Sequence, residues 1–484
     1  MDLGQFFTSA DFIGIAPEII LTVTALSILT LEMFRVSRTG IILLVAAMGL
    51  FLAGGASSNI GGDERILFGG MLVLNRFSVF FDLLYISIGL ATMILSRGYL
   101  KKMGSKPRGE YPALILFAII GMMLMTKAND LVMVFLGLEL LSLSLYVLVG
   151  FLRHNLYSNE SGLKYLLLGA FATGFFLFGA AMIYGATGTT NYNEIASAAT
   201  SGSILSKVYF SLGIGLLLIG FAFKVALVPF HMWSPDVYQG APTTVTAFLC
   251  TAPKVAGFGA LLNIFIVAFM EIQVEWQNLF WILAALTMTV GNISALMQSH
   301  VKRMLAFSSV SHAGYLVLGV LVLNSVGLSA VLFYLVVYSV MNLGAFGIIL
   351  LLEKDNKGLA FEDYRGFSAQ HPWMAGAMAL FMISLAGFPP TGGFVAKYGL
   401  LSSAVSEGYI WLVIIAVLNT LVSAYYYIRL IVNMYMQEEK ESPHPVSGVL
   451  VLGLIGLLAV IVLTLGITPE ILLKITAEAA TTVF

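Results

Sequence analysis

Charge is what this chain lacks. Of its 484 residues only 10% are Asp, Glu, Lys or Arg, against 59% hydrophobic, whereas soluble globular chains carry about 25% charged residues. With a mean hydropathy of +0.95 it cannot clothe a water-facing surface, and an integral membrane protein follows. The net charge is −1 and no block of basic residues occurs, which excludes a nucleic-acid partner. Cysteine is nearly absent as well. The single thiol, Cys250, excludes internal disulfides, Cys-ligated iron–sulfur clusters and Cys-rich zinc sites. The histidines (His154, His231, His300, His312, His371 and His444) show no paired spacing across two helices for a bound haem. No redox centre and no metal site are therefore expected. A signal-peptide layout is missing too. The start, MDLGQFFTSADF, has acids and no lysine or arginine before the first apolar stretch, so the first span is expected to stay in the mature protein.

What the chain has is apolar length. A spanning helix needs about 20 mostly apolar residues. Fourteen such stretches are predicted, near 12–33, 40–56, 76–96, 111–126, 130–151, 163–185, 208–230, 242–270, 278–298, 303–323, 328–352, 374–403, 409–433 and 446–468. The fold class is thus an all-α polytopic membrane protein. The lipid bilayer is its first partner, and no soluble domain fits between the spans. Loops after odd-numbered spans collect the cations: Arg35, Arg38, the run from Arg97 to Arg108, Arg153, Lys302, Arg303, Lys354, Lys357 and Arg365. Loops after even-numbered spans hold little beyond Arg65, Arg76, Lys127 and Lys207. Positive loops stay on the cytoplasmic side, so both termini are expected on the outer side.

Against this background the charges inside spans stand out. Lys224, Lys254 and Lys397 lie well within apolar stretches, as does Glu139 in VFLGLELLSLSLYVL; His312 lies early in its span in AFSSVSHAGYLVLG. Each Lys or Glu at the bilayer centre costs ~2.5–3.5 kcal/mol, and Glu139 with the three lysines roughly 12 kcal/mol if unpaired. The interval from Glu139 to Lys224 equals that from His312 to Lys397, and the second pair follows the first five spans later. Five is odd, so a repeat of that length is inverted across the membrane, an arrangement typical of transporters. Pro229 follows Lys224 in FKVALVPFHMWSPDVYQG, and Pro389, Pro390, Gly392 and Gly393 precede Lys397 in LAGFPPTGGFVAK. Proline removes a backbone donor and breaks a helix, and broken helices in lipid must be covered by protein or water. Helices seven and twelve are accordingly predicted to be discontinuous.

Burial disfavours an ammonium's charge and a nearby carboxylate restores it. Lys224 beside Glu139 would be held between two states that a passing charge can tip: a proton switch, with Lys254 as the next stop. The plain alternative is a static ion pair between helices. Three further residues are secondary. His231, past Pro229 near the outer end of span seven or in its break, suits bonding to carbonyls that the break frees. Asp82, one turn into span three, suits an ion pair. Lys164 opens span six and by default snorkels to the interface; it could also tune Glu139. Glu18 follows Pro17 at a helix start, where a carboxylate suits the dipole.

These residues carry a family resemblance. APEIIL, FLGLELLSLSLYVLVG, LKYLLLGAFATGFFLFGAAMIYGATGTTN, FKVALVPFHMWSPDVYQGAPTTVTAFL, APKVAGF, VKRMLAFSSVSHAGY and LAGFPPTGGFVAKYGL together resemble the antiporter-like, proton-pumping subunits of respiratory complex I. The likeness is closest to the N-type subunits of bacterial NADH:quinone oxidoreductase. It implies fourteen helices with two inverted five-helix units: three N-terminal helices in 1–110, units at 111–270 and 271–436, and a last helix and tail at 437–484. It implies proton transfer through Glu139, Lys224, Lys254, His312 and Lys397, driven by quinone reduction elsewhere in the complex. Quinone, FMN and iron–sulfur clusters would belong to partner subunits, with M-like and K-like membrane subunits as neighbours, in the bacterial inner membrane. Three rivals are a subunit of a multi-subunit Na+/H+ antiporter, the equivalent subunit of a ferredoxin-linked photosynthetic complex, and a non-pumping scaffold subunit.

Overall fold

The computed structural model describes residues 8–34, 39–60, 64–102, 109–201, 206–353, 358–438 and 448–483. Arg35, Arg38, Lys106, Arg108, Lys354, Lys357 and His444 lie outside the described residues. A short α1 (Ser9–Gly14) leads into α2 (Ala16–Met33) and α3 (Thr39–Ile60), and a small hairpin, β1 (Arg65–Leu67) with β2 (Leu72–Leu74), precedes α4 (Arg76–Lys102). Next come α5 (Glu110–Lys127), α6 (Leu131–Val149), α7 (Leu156–Thr187), α8 (Tyr192–Ser201), α9 (Lys207–Val225), α10 (Trp233–Gly240) and α11 (Thr243–Val267). A similar progression then follows in α12 (Gln273–Leu296), α13 (Val301–Val322), α14 (Ser325–Leu352), the short α15 (Phe367–Gln370), α16 (Pro372–Ala386), α17 (Gly392–Ser406) and α18 (Ile410–Met436). The chain closes with α19 (Val449–Ile467) and α20 (Glu470–Ala480).

Among the described residues, thirteen helices are long and apolar enough to cross a membrane, and α16 is a shorter apolar helix followed directly by α17. Side chains explain which helices face lipid. α11, α13 and α14 are buried almost throughout. In contrast, α3, α18 and α19 expose Leu44, Phe51, Trp411, Leu421 and Leu457. Apolar side chains on both faces of a helix do not select a partner, so small residues do. A Cβ on Gly121 of α5 would lie 2.6 Å from the carbonyl oxygen of Gly137 on α6, and one on Gly137 would lie 2.7 Å from that of Gly121. α7 and α9 meet in the same way at Gly179 and Gly213.

Both helix breaks fall where proline and glycine cluster. α9 ends at Val225, and Ala226 takes left-handed backbone angles (φ 61°, ψ 51°); helix resumes only at Trp233. The freed groups find partners in protein, as a break inside a bilayer requires. Thr287 of α12 accepts from the Val228 amide at 3.0 Å, and the Trp233 indole donates to the Phe223 carbonyl at 2.8 Å. α16 ends at Ala386, and Gly387 after it is again left-handed (φ 89°). There Thr391 donates to the Phe388 carbonyl at 2.7 Å and the Gly393 amide donates to Ser384 at 3.1 Å. A Cβ on Gly393 would collide with the Ser384 backbone carbonyl. Gly393→Ala is therefore expected to cost more than the ~1–3 kcal/mol of ordinary overpacking. The check is the amount of folded protein recovered from membranes.

The equal spacing of the two charge pairs is not repeated by the helix ends. α6 starts at Leu131 and α13 at Val301, whereas α9 ends at Val225 and α16 at Ala386; the two offsets differ from each other and from the offset between the charges. Asp130 and His300, the residues just before α6 and α13, each form an isolated antiparallel bridge, with Asn191 and Ala360. Aligned by helix start, Glu139 corresponds to Ser309, and His312 corresponds to Ser142. Lys224 precedes its break while Lys397 follows its own. What the two halves have in common is helices and breaks, not identical charge positions.

Candidate functional site

Lys224, Lys254 and Lys397 are each buried, and none of the three forms an ion pair within 4.0 Å among the described residues. Lys224, at the last turn of α9, donates to Ser142 of α6 at 2.8 Å. Its ammonium stands 5.9 Å from the Tyr165 ring centre. Lys254, midway along α11, donates to the Ser309 hydroxyl at 2.6 Å and to the Ser309 carbonyl at 2.5 Å. Lys397, in the second turn of α17, reaches back into its break and donates to the Ala386 carbonyl at 3.0 Å. The Tyr315 ring lies beneath it at 4.9 Å. All three ammonium groups thus rest on neutral oxygen. A serine hydroxyl can accept from an ammonium or donate to a neutral amine, so the Ser142 and Ser309 contacts suit either state of Lys224 and Lys254.

Glu139 stands on α6 one turn before Ser142 and is half-buried. It makes no ion pair with Lys224; it acts on it through space. The expected direct pair is thus replaced by a carboxylate held off by a serine. Ser142, Tyr146, Thr173 and Lys224 line a small cleft between α6, α7 and α9. Lys224 and Lys254 meet through α11: a Cβ on Gly257, about one turn past Lys254, would sit 3.6 Å from Lys224 Cγ.

His312 joins the second half. Its Nδ1 faces the Tyr334 hydroxyl at 2.5 Å and its Nε2 faces that of Tyr427 at 3.2 Å. A neutral imidazole accepts on one nitrogen and donates on the other, so the ring can hand a proton from one tyrosine to the other. Tyr338 donates to Ser309 at 2.8 Å, and its ring centre is 5.5 Å from that of His312. His312 feels the charges of both Lys397 and Lys254. The polar seam continues from Tyr427 to Ser308. Beside it, Tyr426 donates to Asn292 at 2.9 Å.

The secondary residues lie elsewhere. Lys164 is half-exposed and does not reach Glu139; it pairs with Glu160 at 2.7 Å and Asp236 at 3.2 Å. Arg303 of α13 pairs with the same Asp236 at 2.7 Å, so three elements are tied at the first turn of α10. His231 lies within the break, its ring bonded to the Pro229 backbone and its Nδ1 buried without a hydrogen-bond partner among the described residues. Asp82 is fully buried and pairs with Lys127 at 2.7 Å.

Several polar residues escaped the sequence reading. Lys302 and Lys127 look like loop cations, yet both are 1% exposed. Lys302 donates to Thr243 at 3.0 Å and stands 4.0 Å from Glu353. Lys302 and Glu353, with Tyr99, Asp236, His300 and Lys164, line a cavity of about 340 Å³. Ser142 had a signal, being three residues after Glu139 and so on the same helix face. Ser309 had none beyond the SSVSH run.

Residues 128–423 match the family described as NADH:quinone oxidoreductase/Mrp antiporter, TM. The chain is similar to NADH-quinone oxidoreductase subunit N of Trichlorobacter lovleyi, at 44% identity over 99% of each chain. Its structure is similar to a chain of respiratory complex I from Thermus thermophilus, with a TM-score of 0.82 and 34% identity over 95% of this chain and 98% of that one. A chain of the Mrp complex from Dietzia shares the fold, with a TM-score of 0.85 at 22% identity over 97% of both chains.

Proposed function

Because the chain belongs to the NADH-quinone oxidoreductase subunit N family, and is thus a proton-translocating subunit of that enzyme's membrane arm, we propose that Glu139, Lys224, Lys254, His312 and Lys397 carry its protons. One observation supports this above others: three deeply buried lysines rest on neutral oxygens rather than carboxylates. A lysine held as a fixed cation is paired with carboxylates, as Lys127 is. A lysine that gives up its proton must leave no orphaned anion behind.

The route begins where Glu139 faces the chain's surface at α6. A charge arriving there from a neighbouring membrane subunit changes the field on Lys224. Lys224 loses or gains its proton against Ser142. The α11 helix brings the next ammonium, Lys254, behind it. Ser309 and Tyr338 then lead toward His312, whose two tyrosine contacts let the ring pass a proton on to the neighbourhood of Lys397. The broken helices supply the polar opening at each end. Carrying one charge against 100 mV takes ~2.3 kcal/mol, so the work comes from quinone reduction in partner subunits. Those partners hold the flavin, iron–sulfur clusters and quinone. M-like and K-like subunits flank this chain in the bacterial inner membrane, with both termini outside. Its two five-helix units, 111–270 and 271–436, are inverted relative to each other.

Lys224→Ala in the assembled enzyme tests this. The expected result is loss of both proton translocation and quinone reduction with assembly retained. A scaffold subunit would leave both activities unchanged.

A further inference from the structure

A second buried cluster lies outside this route, in the first helices. Glu18 on α2, Asp82 on α4 and Lys127 at the end of α5 meet at one nitrogen: Lys127 Nζ is 2.5 Å from Glu18 Oε1 and 2.7 Å from Asp82 Oδ2. Their side chains are 4% exposed or less. Ser57 on α3 donates to the same Asp82 oxygen at 3.0 Å. Among the described residues, the second oxygens, Glu18 Oε2 and Asp82 Oδ1, are buried with no hydrogen-bond partner, and so is the hydroxyl of Tyr85, one turn past Asp82. α11 clamps the site: Asn263 donates to the Ala128 carbonyl at 2.7 Å, just beyond Lys127.

The charges do not balance. Two ionised carboxylates against one ammonium leave a net negative charge in a site shut off from water. Uncompensated buried charge is costly, and carboxyls that share a site cannot both ionise freely. One proton on Glu18 or Asp82 removes the imbalance and occupies one of the two orphaned oxygens. We propose that Glu18, Asp82 and Lys127 form a buried proton-binding site, in which two carboxyls share one lysine and one exchangeable proton. It lies at the membrane end where α5 finishes and α2 and α4 begin. It shares α11 with Lys254, since a Cβ on Gly259 would touch Thr126 and Phe81 beside it; Gly259 is five residues on from Lys254, ~7.5 Å along the helix.

Infrared spectroscopy of the purified complex tests this without turnover, so its failure would leave the proton route of Glu139 and the other lysines untouched. The site predicts a carboxylic-acid C=O band that shifts in heavy water. Glu18→Gln and Asp82→Asn should each abolish that band, because either leaves a balanced lysine–carboxylate pair. Both variants should assemble for the same reason. Lys127→Met should double the band, because both carboxyls then carry protons. An unchanged band in both amide variants, loss in only one of them, or failure of both to assemble would overturn the proposal.

Discussion

Replacing Lys254 by arginine is expected to lower quinone reduction and proton translocation together by at least about tenfold, a conservative figure for losing a proton-transfer group. Arginine keeps the positive charge and can still donate to Ser309, but it does not give up its proton in proteins. A lysine that serves only as a fixed cation would tolerate the change; a proton carrier would not. Lys254 is the right place to ask because it pairs with no carboxylate among the described residues; its ammonium sits on Ser309 and near the Tyr338 ring, and the Lys224 stem packs on the same helix at Gly257. Native electrophoresis of the variant complex separates lost transport from lost assembly. Turnover near that of the parent enzyme would remove Lys254 from the route.

Glu139→Gln is the second large effect. Glutamine keeps the shape and removes the charge. Glu139 is half-buried and holds no ion pair among the described residues, so neither α6 nor its packing depends on its ionisation. What does depend on it is the field at Lys224, whose ammonium bonds a neutral serine. The expected result is a fall in coupled turnover of about tenfold or more, with the complex intact. Measuring NADH-driven proton uptake in proteoliposomes checks it. An unchanged rate would mean that Lys224 responds to some other charge.

Much of this was legible in the sequence. Apolar length placed some spans within a few residues, 111–126 against Glu110–Lys127 and 242–270 against Thr243–Val267, but cut others short, 163–185 against Leu156–Thr187. Proline and glycine marked both breaks. The three lysines stood out because nothing charged surrounds them in sequence. What could not be read was pairing. Lys127 and Lys302 end or begin their helices, where a lysine ordinarily snorkels; only tertiary packing turns them inward onto Glu18, Asp82 and Glu353. The piece α10 was missed because its sequence, WSPDVYQG, is too short and polar to register as a span. The equal spacing of Glu139–Lys224 and His312–Lys397 misled for a related reason. It matched charges, whereas the two halves have similar helices and breaks at other offsets, and only tertiary packing sets Ser309 against Lys254.

The central claim is that a continuous polar path joins Glu139 to Lys397 through this one chain. A structure of the assembled complex that resolves ordered water tests it most directly. The account predicts waters or hydroxyls bridging Ser142, Lys224, Lys254, His312 and Lys397 with no gap longer than one hydrogen bond in at least one state of the enzyme. A water-free apolar gap between Lys224 and Lys254, or between Lys254 and His312, in every state would contradict it.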